Sequence, residues 1–284
     1  MRCRITRAGS GDSVPALSDV SPPQPAKGRW SDLALRATSA LVLGPLALVC
    51  MWVGGTAWDL LIGVAMAGLG HEWATLAKRD HAWPLAAVLL IVWGMSVLFG
   101  PLAGIEAVLA LGLASWPVFG RFDALGVPYA GLGGIALLWL RHRPGAGLVD
   151  VFYLLLVIWG TDIGAYLVGR LIGGRKLAPS ISPGKTVSGA VGGLVIGALC
   201  GALLAGFTLG EPLTAFGVGL ALSAVAQAGD LLESAIKRKL GVKDSGRTIP
   251  GHGGLFDRLD GFLTAAPLAA LLAVCMQGGL GLWG

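Results

Sequence analysis

Long stretches of this chain contain almost no charged residues. Residues 186–228 include a single one, Glu211. Across the chain, 55% of residues are hydrophobic and only 13% are charged, with a mean hydropathy of +0.74. A helix crosses a bilayer with about 20 apolar residues, and a 284-residue chain cannot bury so many such segments in a soluble core. The sequence therefore predicts an all-α, polytopic integral membrane protein.

About nine transmembrane helices are expected, and the basic residues between them predict their orientation. Basic residues occur in alternate loops, so the positive-inside rule predicts a cytoplasmic N-terminus and a periplasmic C-terminus. Arg141, His142 and Arg143 lie on the wrong side in this scheme, so either they snorkel or the fifth span is misplaced. The expected spans are 33–53, 55–76, 84–100, 101–119, 125–141, 147–170, 187–209, 212–229 and 261–283.

Two polar segments interrupt the later apolar spans. Because ionisable groups near hydrocarbon are costly, such segments indicate functional sites. In the first, residues 159–189, Asp162 lies within an apolar helix. Ser182, Lys185 and Thr186 form a short loop that opens the next helix, where hydroxyl, ammonium and backbone N–H groups suit phosphate oxygens. The P-loop spacing is absent. A basic cytoplasmic loop without a ligand is the alternative interpretation.

The second polar segment, residues 229–260, begins on a helix. Asp230, Glu233, Ser234 and Lys237 follow the i, i+3, i+4, i+7 spacing and therefore share one helical face. A carboxylate at this position can hold a divalent cation that bridges to substrate phosphates. A salt bridge to Lys237 would by itself account for Glu233.

A glycine-rich loop and the start of the last helix complete this segment. Gly253 and Gly254 allow a backbone to approach a ligand closely, and His252 beside them is expected to line the site. Asp257 and Asp260 are one turn apart and can face the same cavity, with Arg258 pointing elsewhere, although Asp260 also complements the helix dipole. Together, the carboxylates, cationic side chains and hydroxyls of the two polar segments predict a site for phosphoryl or nucleotidyl transfer.

The segment Ser234–Asp260 resembles the signature of the phosphatidate cytidylyltransferase (CDP-diacylglycerol synthase) family. The matching residues are Ser-Ala-Ile-Lys-Arg from Ser234, then Lys243-Asp244, then Ile-Pro-Gly-His-Gly-Gly-Leu-Phe-Asp-Arg-Leu-Asp ending at Asp260. The resemblance covers about residues 32–284 and is strong over 159–260. It implies transfer of CMP from CTP to phosphatidic acid, giving CDP-diacylglycerol and diphosphate, at the cytoplasmic face of the inner (plasma) membrane.

The resemblance also implies roles for individual residues. Magnesium is expected, as one ion, as two metal ions or with a second monovalent cation, and its ligands are Asp230, Asp257 and Asp260. The residues expected to act in catalysis are Asp230, Asp257, Lys237, Lys243, Asp244, His252 and Arg258. Those expected to bind substrate are Ser182, Lys185, Thr186, Ser234, Arg238, Asp162, Gly253 and Gly254.

Three regions are expected along the chain: a disordered, basic, Pro-rich tail (1–31), N-terminal transmembrane helices (32–146) and a catalytic transmembrane region (147–284). The expected partners are CTP, phosphatidic acid and the lipid bilayer. Nucleic acid is not expected, because basic residues in membrane proteins collect in cytoplasmic loops. Small-residue helices favour a homodimer. Two alternatives stay open: a CTP-dependent lipid (polyprenol-type) kinase and a membrane transporter.

Overall fold

The computed structural model describes residues 29–78, 82–208, 210–242, 244–246, 248–249 and 253–276, with side chains from residue 41 onward. These segments form helices joined by short connections, with one small hairpin, so the predicted all-α architecture is confirmed. The helices are α1 Arg29–Val53, α2 Gly55–Leu76, α3 Trp83–Phe99, α4 Pro101–Phe119, α5 Arg121–Arg141, α6 Gly147–Ile172, α7 Val187–Phe207, α8 Pro212–Lys239 and α9 Phe256–Cys275. The strands are β1 Lys176–Ala178 and β2 Ser182–Thr186.

Six of these helices, α4 to α9, are long and apolar enough to cross a membrane. Two shorter apolar helical stretches are Leu41–Val53, within α1, and Trp83–Phe99. The remaining helix, α2, carries Asp59 and Glu72. The chain is therefore a multi-pass membrane protein. The orientation of its termini remains a prediction.

The predicted helix ends agree with the structure to within a few residues except around the polar segments. There α8 continues past residue 229 to Lys239, and α9 begins at Phe256 instead of residue 261. The helical face predicted for Asp230 to Lys237 thus lies on one unbroken helix. Hydropathy places a helix end at the first charged residue, but these charges pair with one another, so the helix continues. The predicted end of the last span at 283 lies outside the described residues.

The basic turn after α5 is held by groups from three other helices. The fifth span is therefore not misplaced, since α5 ends at Arg141. Arg141 donates to two carbonyl oxygens at the C-terminal end of α1, where helix carbonyls lack partners within the helix. The contacts are Arg141 Nε to the Met51 carbonyl (2.6 Å), Arg141 Nη2 to the Trp52 carbonyl (3.0 Å), His142 Nε2 to Asp59 Oδ1 (3.4 Å), and Arg143 to Asp150.

Glycines on α7 allow α6 and α7 to pack closely. A Cβ at Gly193 would lie 2.7 Å from the Thr161 carbonyl oxygen, and one at Gly197 would lie 2.8 Å from the Val157 carbonyl oxygen. Any larger residue would push these helices apart. This contact fixes α6 beside the polar hairpin that precedes α7.

The N-terminal and C-terminal helices share one buried core. The Trp73 ring on α2 stacks on Phe122 of α5 at a centroid distance of 4.9 Å and also contacts Phe256 of α9 at 5.4 Å. Phe256 is fully buried. Because the two predicted regions, 32–146 and 147–284, share this core, their division stays a prediction from the sequence. Residues 1–28 of the expected tail lie outside the described part of the chain.

Candidate active site

Three carboxylates from two helices meet at one end of the bundle. One oxygen each from Asp230, Glu233 and Asp260 lie within 4.8 Å of one another, and we call these residues the acidic group. Glu233 is 2% exposed, and its Oε1 has no hydrogen-bond partner among the described residues. Like charges at this distance repel unless a cation binds between them. Hard carboxylate oxygens are the ligands that Mg²⁺ prefers, so the residues present fit a divalent cation.

Lys237 links the acidic group to Asp257. Its Nζ lies 2.9 Å from Glu233 Oε2 and 2.6 Å from Asp257 Oδ1. The Glu233–Lys237 salt bridge predicted from the i, i+4 spacing is therefore present. Glu233 nevertheless has a second role, because one of its carboxylate oxygens belongs to the acidic group.

Asp257 is bound by donors on both oxygens. Oδ1 accepts from Lys237, while Oδ2 accepts from the backbone N–H groups of Ser245 (3.2 Å) and Gly254 (3.0 Å). Glu233 takes the position in the acidic group that the sequence assigned to Asp257. The structure thus connects Asp257 to the acidic group through Lys237, and direct metal ligation by Asp257 stays a prediction.

A polar pocket of about 690 Å³ opens beside the acidic group, between the hairpin and helices α6, α7 and α8. Its volume is in the range of small-molecule sites. Lys185 on β2 forms an ion pair with Asp230 here, so a cation and a carboxylate share one wall. Other residues lining the pocket are Asp162, Tyr166, Arg170, Thr186 and Gln227.

An apolar cavity of about 570 Å³ lies between α1, α2, α5, α6 and α9. Arg258 is the charged residue in its lining, to which neither Asp257 nor Asp260 belongs. Helix α9 therefore carries carboxylates toward α8 and an arginine toward the apolar cavity. The apolar lining includes Leu48, Met51, Ile62, Met66, Leu155 and Phe262.

Comparison with known proteins places this arrangement in a family. The family model described as "Cytidylyltransferase family" matches residues 34–276. The chain belongs to the cytidylyltransferase family. A phosphatidate cytidylyltransferase of Brucella suis is 38% identical over 260 residues, which cover 85% of this chain and 93% of the relative. One of Staphylococcus haemolyticus is 42% identical over 158 residues, covering 55% and 59%. The resemblance of Ser234–Asp260 is thus confirmed at the level of the family.

Several of the expected substrate-binding residues of this cytidylyltransferase have structural contacts. Thr186 caps α7, its side-chain oxygen accepting from the Gly189 N–H at 3.1 Å, and it also lines the polar pocket. Arg238 Nε donates to the Ile181 carbonyl at 3.2 Å, which ties α8 to the hairpin turn. Ser182 begins β2, a strand where the sequence predicted a loop. Their contacts with substrate stay predictions.

The remaining expected residues lie on α8, in the loop before α9 or outside the described residues. Ser234 is half-buried on α8 and Asp244 is exposed. Gly253 has a φ of +86°, a conformation that glycine adopts readily. Lys243 and His252 lie outside the described residues, so their roles stay predictions.

Sequence reasoning missed Glu72, a residue on α2 that contacts the site. It is 1% exposed, and its carboxylate accepts the backbone N–H groups of Leu255 and Phe256. The available signal was an acidic residue within a largely apolar helix, which is costly without a partner. That signal marks Glu72 as important but does not name its partners.

Proposed function

We propose that this protein is a phosphatidate cytidylyltransferase, which transfers CMP from CTP to phosphatidic acid and forms CDP-diacylglycerol and diphosphate. The observation that carries the proposal is the position of the acidic group. Asp230 lines the polar pocket, and Asp260 lies two residues after Arg258, which lines the apolar cavity. A water-soluble nucleotide and a lipid require neighbouring sites of these two kinds.

The reaction needs positioning and charge neutralisation. A phosphate oxygen of phosphatidic acid attacks the α-phosphorus of CTP and forms a new P–O bond. The bond between the α-phosphorus and the bridging oxygen breaks, and diphosphate leaves with the electron pair. No general base is required, because a phosphate monoester is already ionised near neutral pH.

The chain's own residues divide these tasks. Asp230, Glu233 and Asp260 would hold Mg²⁺, and a bound Mg²⁺ supplies neutralisation of phosphate charge. Lys185, on the wall of the polar pocket, is placed to donate to phosphate oxygens. Lys237 holds Glu233 and Asp257 in fixed positions. Lys243, Asp244 and His252 retain their expected roles as part of the proposal.

The proposed location is the inner (plasma) membrane, with the site at the cytoplasmic face. Basic residues support this orientation, since Arg170 lies in the last turn of α6, Lys176 and Lys185 lie on the hairpin, and Lys237–Lys239 end α8. The same orientation gives a cytoplasmic N-terminus and a periplasmic C-terminus. A homodimer remains part of the proposal, on the basis of the small-residue helices alone.

Product identification tests the proposed activity. Purified protein is incubated with Mg²⁺, phosphatidic acid and CTP labelled either in the cytidine or in the γ-phosphate. We expect the cytidine label to enter the lipid and the mass of CDP-diacylglycerol to appear. Transfer of the γ-label alone would replace the proposal with a CTP-dependent lipid kinase. Flux into liposomes without a covalent product would replace it with a transporter.

The apolar cavity leads to a prediction about the lipid substrate. We expect Ala65→Phe, which places a ring in the cavity, to raise the KM for phosphatidic acid by about tenfold, the size of effect that hydrophobic pockets produce. The KM for CTP should stay unchanged. Initial rates at varied lipid and varied nucleotide measure both constants.

The matched control for the cavity is Leu203→Phe, which places a ring at a position on α7 where the native residue is 63% exposed. It should leave both KM values unchanged. Equal lipid KM values for Ala65→Phe and Leu203→Phe would contradict a role for the cavity in binding the acyl chain.

A further inference from the structure

Glu72 is a buried charged residue that the proposed reaction leaves unused. It lies near the C-terminal end of α2, where the helix dipole disfavours a carboxylate. Burial of a charge is costly unless the charge is paired and hydrogen-bonded. The last turn of α2 contains no basic residue, and the described segments show no ion pair to Glu72. Helix α2 itself therefore does not explain this residue.

The partners of Glu72 are at the start of α9. Its Oε1 accepts the Leu255 N–H at 2.7 Å, and its Oε2 accepts the Phe256 N–H at 2.8 Å. The first N–H groups of a helix have no partner within the helix, and negative charge is stabilising there. Leu255, the residue before α9, supplies no side-chain cap. Glu72 thus caps α9 from a position 183 residues earlier in the chain.

Glu72 also fixes the loop that precedes α9. Ser245 Oγ donates to Oε2 at 3.4 Å. A Cβ at Gly254 would lie 2.7 Å from Oε2, and one at Gly246 would lie 3.0 Å from Oε1. In the structure, these glycines permit a close approach to Glu72, and Gly254 permits one to Ser245 Oγ as well. Because the Gly254 N–H donates to Asp257, one loop residue contacts both carboxylates.

The neighbouring aromatic residues prevent rotation of the first turn of α9. The buried Phe256 ring lies 5.4 Å from Trp73 and 5.4 Å from Tyr129, measured between centroids. Trp73 Nε1 donates to the Phe122 carbonyl at 2.9 Å, which fixes the indole. Rotation of α9 would move Asp257 and Asp260 together, since they are one turn apart.

We infer that Glu72 is a positioning residue, which holds the first turn of α9 so that Asp257 and Asp260 face the acidic side chains of α8. It acts through α9 and touches neither substrate. The kinetic part of this inference rests on the proposed function. The metal-binding part does not, because it can be measured without nucleotide or lipid.

The test compares Glu72→Gln with the wild-type protein, using the full-length chain and Mn²⁺ as the probe. Glutamine has the same size as glutamate, but its amide would place an N–H donor against a backbone N–H donor of α9. We expect the Mn²⁺ concentration for half-saturation, measured by electron paramagnetic resonance, to rise about tenfold. The kcat should fall by about 10- to 100-fold, the effect typical of residues that orient metal ligands. The KM for CTP should stay unchanged.

Two further variants complete the test. Glu72→Asp keeps the charge and should recover part of both losses. Asp59→Asn makes the same type of change at the opposite end of α2, where Asp59 pairs with His142. This control should leave Mn²⁺ binding and kcat at wild-type values.

The outcomes separate this inference from the proposed function. Wild-type Mn²⁺ binding and kcat in folded Glu72→Gln would overturn the inference. If Glu72→Gln does not fold, Glu72→Asp decides in its place by the same two measurements. Failure of both to fold, or absence of Mn²⁺ binding by the wild-type protein, would also overturn it. Weakened Mn²⁺ binding in Glu72→Gln, with no lipid product from the wild-type protein or any variant, would refute the proposed function and support the positioning role.

Discussion

Asp230→Asn and Asp260→Asn are each expected to lower the rate of CMP transfer by about 1000-fold. Each carboxylate supplies one oxygen to the acidic group. A neutral amide oxygen binds a divalent cation less tightly than a carboxylate does, so less of the cation would be available to neutralise the phosphates. Asp230→Asn also removes the partner of Lys185. Rates of lipid product formation at saturating CTP, phosphatidic acid and Mg²⁺ measure the effect.

The folded structure should survive these two substitutions. Removing one of three closely spaced carboxylates relieves repulsion, so the thermal unfolding midpoint should stay the same or rise. Glu211→Gln is the matched control, because Glu211 lies on the same chain segment as α8 but at its opposite, N-terminal end. Retained transfer by purified Asp230→Asn would refute the assignment of the acidic group.

Asp257→Asn separates two roles that the geometry allows for Asp257. Transfer should be abolished in either case, because Asp257 anchors Lys237 and the loop before α9. If Asp257 is a direct ligand, Mn²⁺ affinity should fall as far as in Asp230→Asn. If it acts only through Lys237, the loss of Mn²⁺ affinity should be smaller.

Hydropathy predicted the helices well because the determining property is local. The predicted spans 55–76 and 101–119 begin and end at the same residues as α2 and α4. Apolar runs bounded by glycine or proline define a span without any tertiary information. The ends of α8 and α9 were placed wrongly. Their charged residues include Lys237 and Asp257, which pair across the two helices, and hydropathy contains no such pairing.

The candidate site was predictable where its members share one helix. Asp230 and Lys237 were found through their spacing on α8, and Asp257 and Asp260 through theirs on α9. Glu233 was assigned only a salt bridge to Lys237, so its place in the acidic group was missed. Glu72 was not predictable in the same way, because its partners are backbone N–H groups, which every residue except proline has. No residue type in the sequence marks them as its partners.

The opposite end of the bundle shows the same limit. The basic turn at Arg141–Arg143 contradicted the positive-inside pattern, and sequence alone left two explanations open. Its partners are an acidic residue on α2, another on α6 and two carbonyls on α1. Carbonyl partners carry no sequence signal, so the turn could be explained only after the helices were placed.

Lys237→Met is expected to destabilise the protein by about 3–5 kcal/mol, the usual result of removing one partner from a buried ion pair. The side chains of Glu233 and Asp257 are 3% and 14% exposed, so water cannot replace the lost ammonium group. The thermal unfolding midpoint should fall by about 10 °C. Fluorescence-detected unfolding of the detergent-solubilised protein measures the shift. Transfer activity should be lost as well.

The control for this substitution is Lys239→Met, which removes an exposed lysine from the same helix end. Lys239 contributes only the modest interaction of a cation with the helix dipole, so the midpoint should change by a few degrees at most. Equal shifts in the two variants would contradict a structural role for the buried lysine. A double variant, Lys237→Met with Glu233→Gln, separates stability from catalysis. It should regain part of the lost stability, because one buried charge is removed, yet remain inactive, because the acidic group has lost a carboxylate.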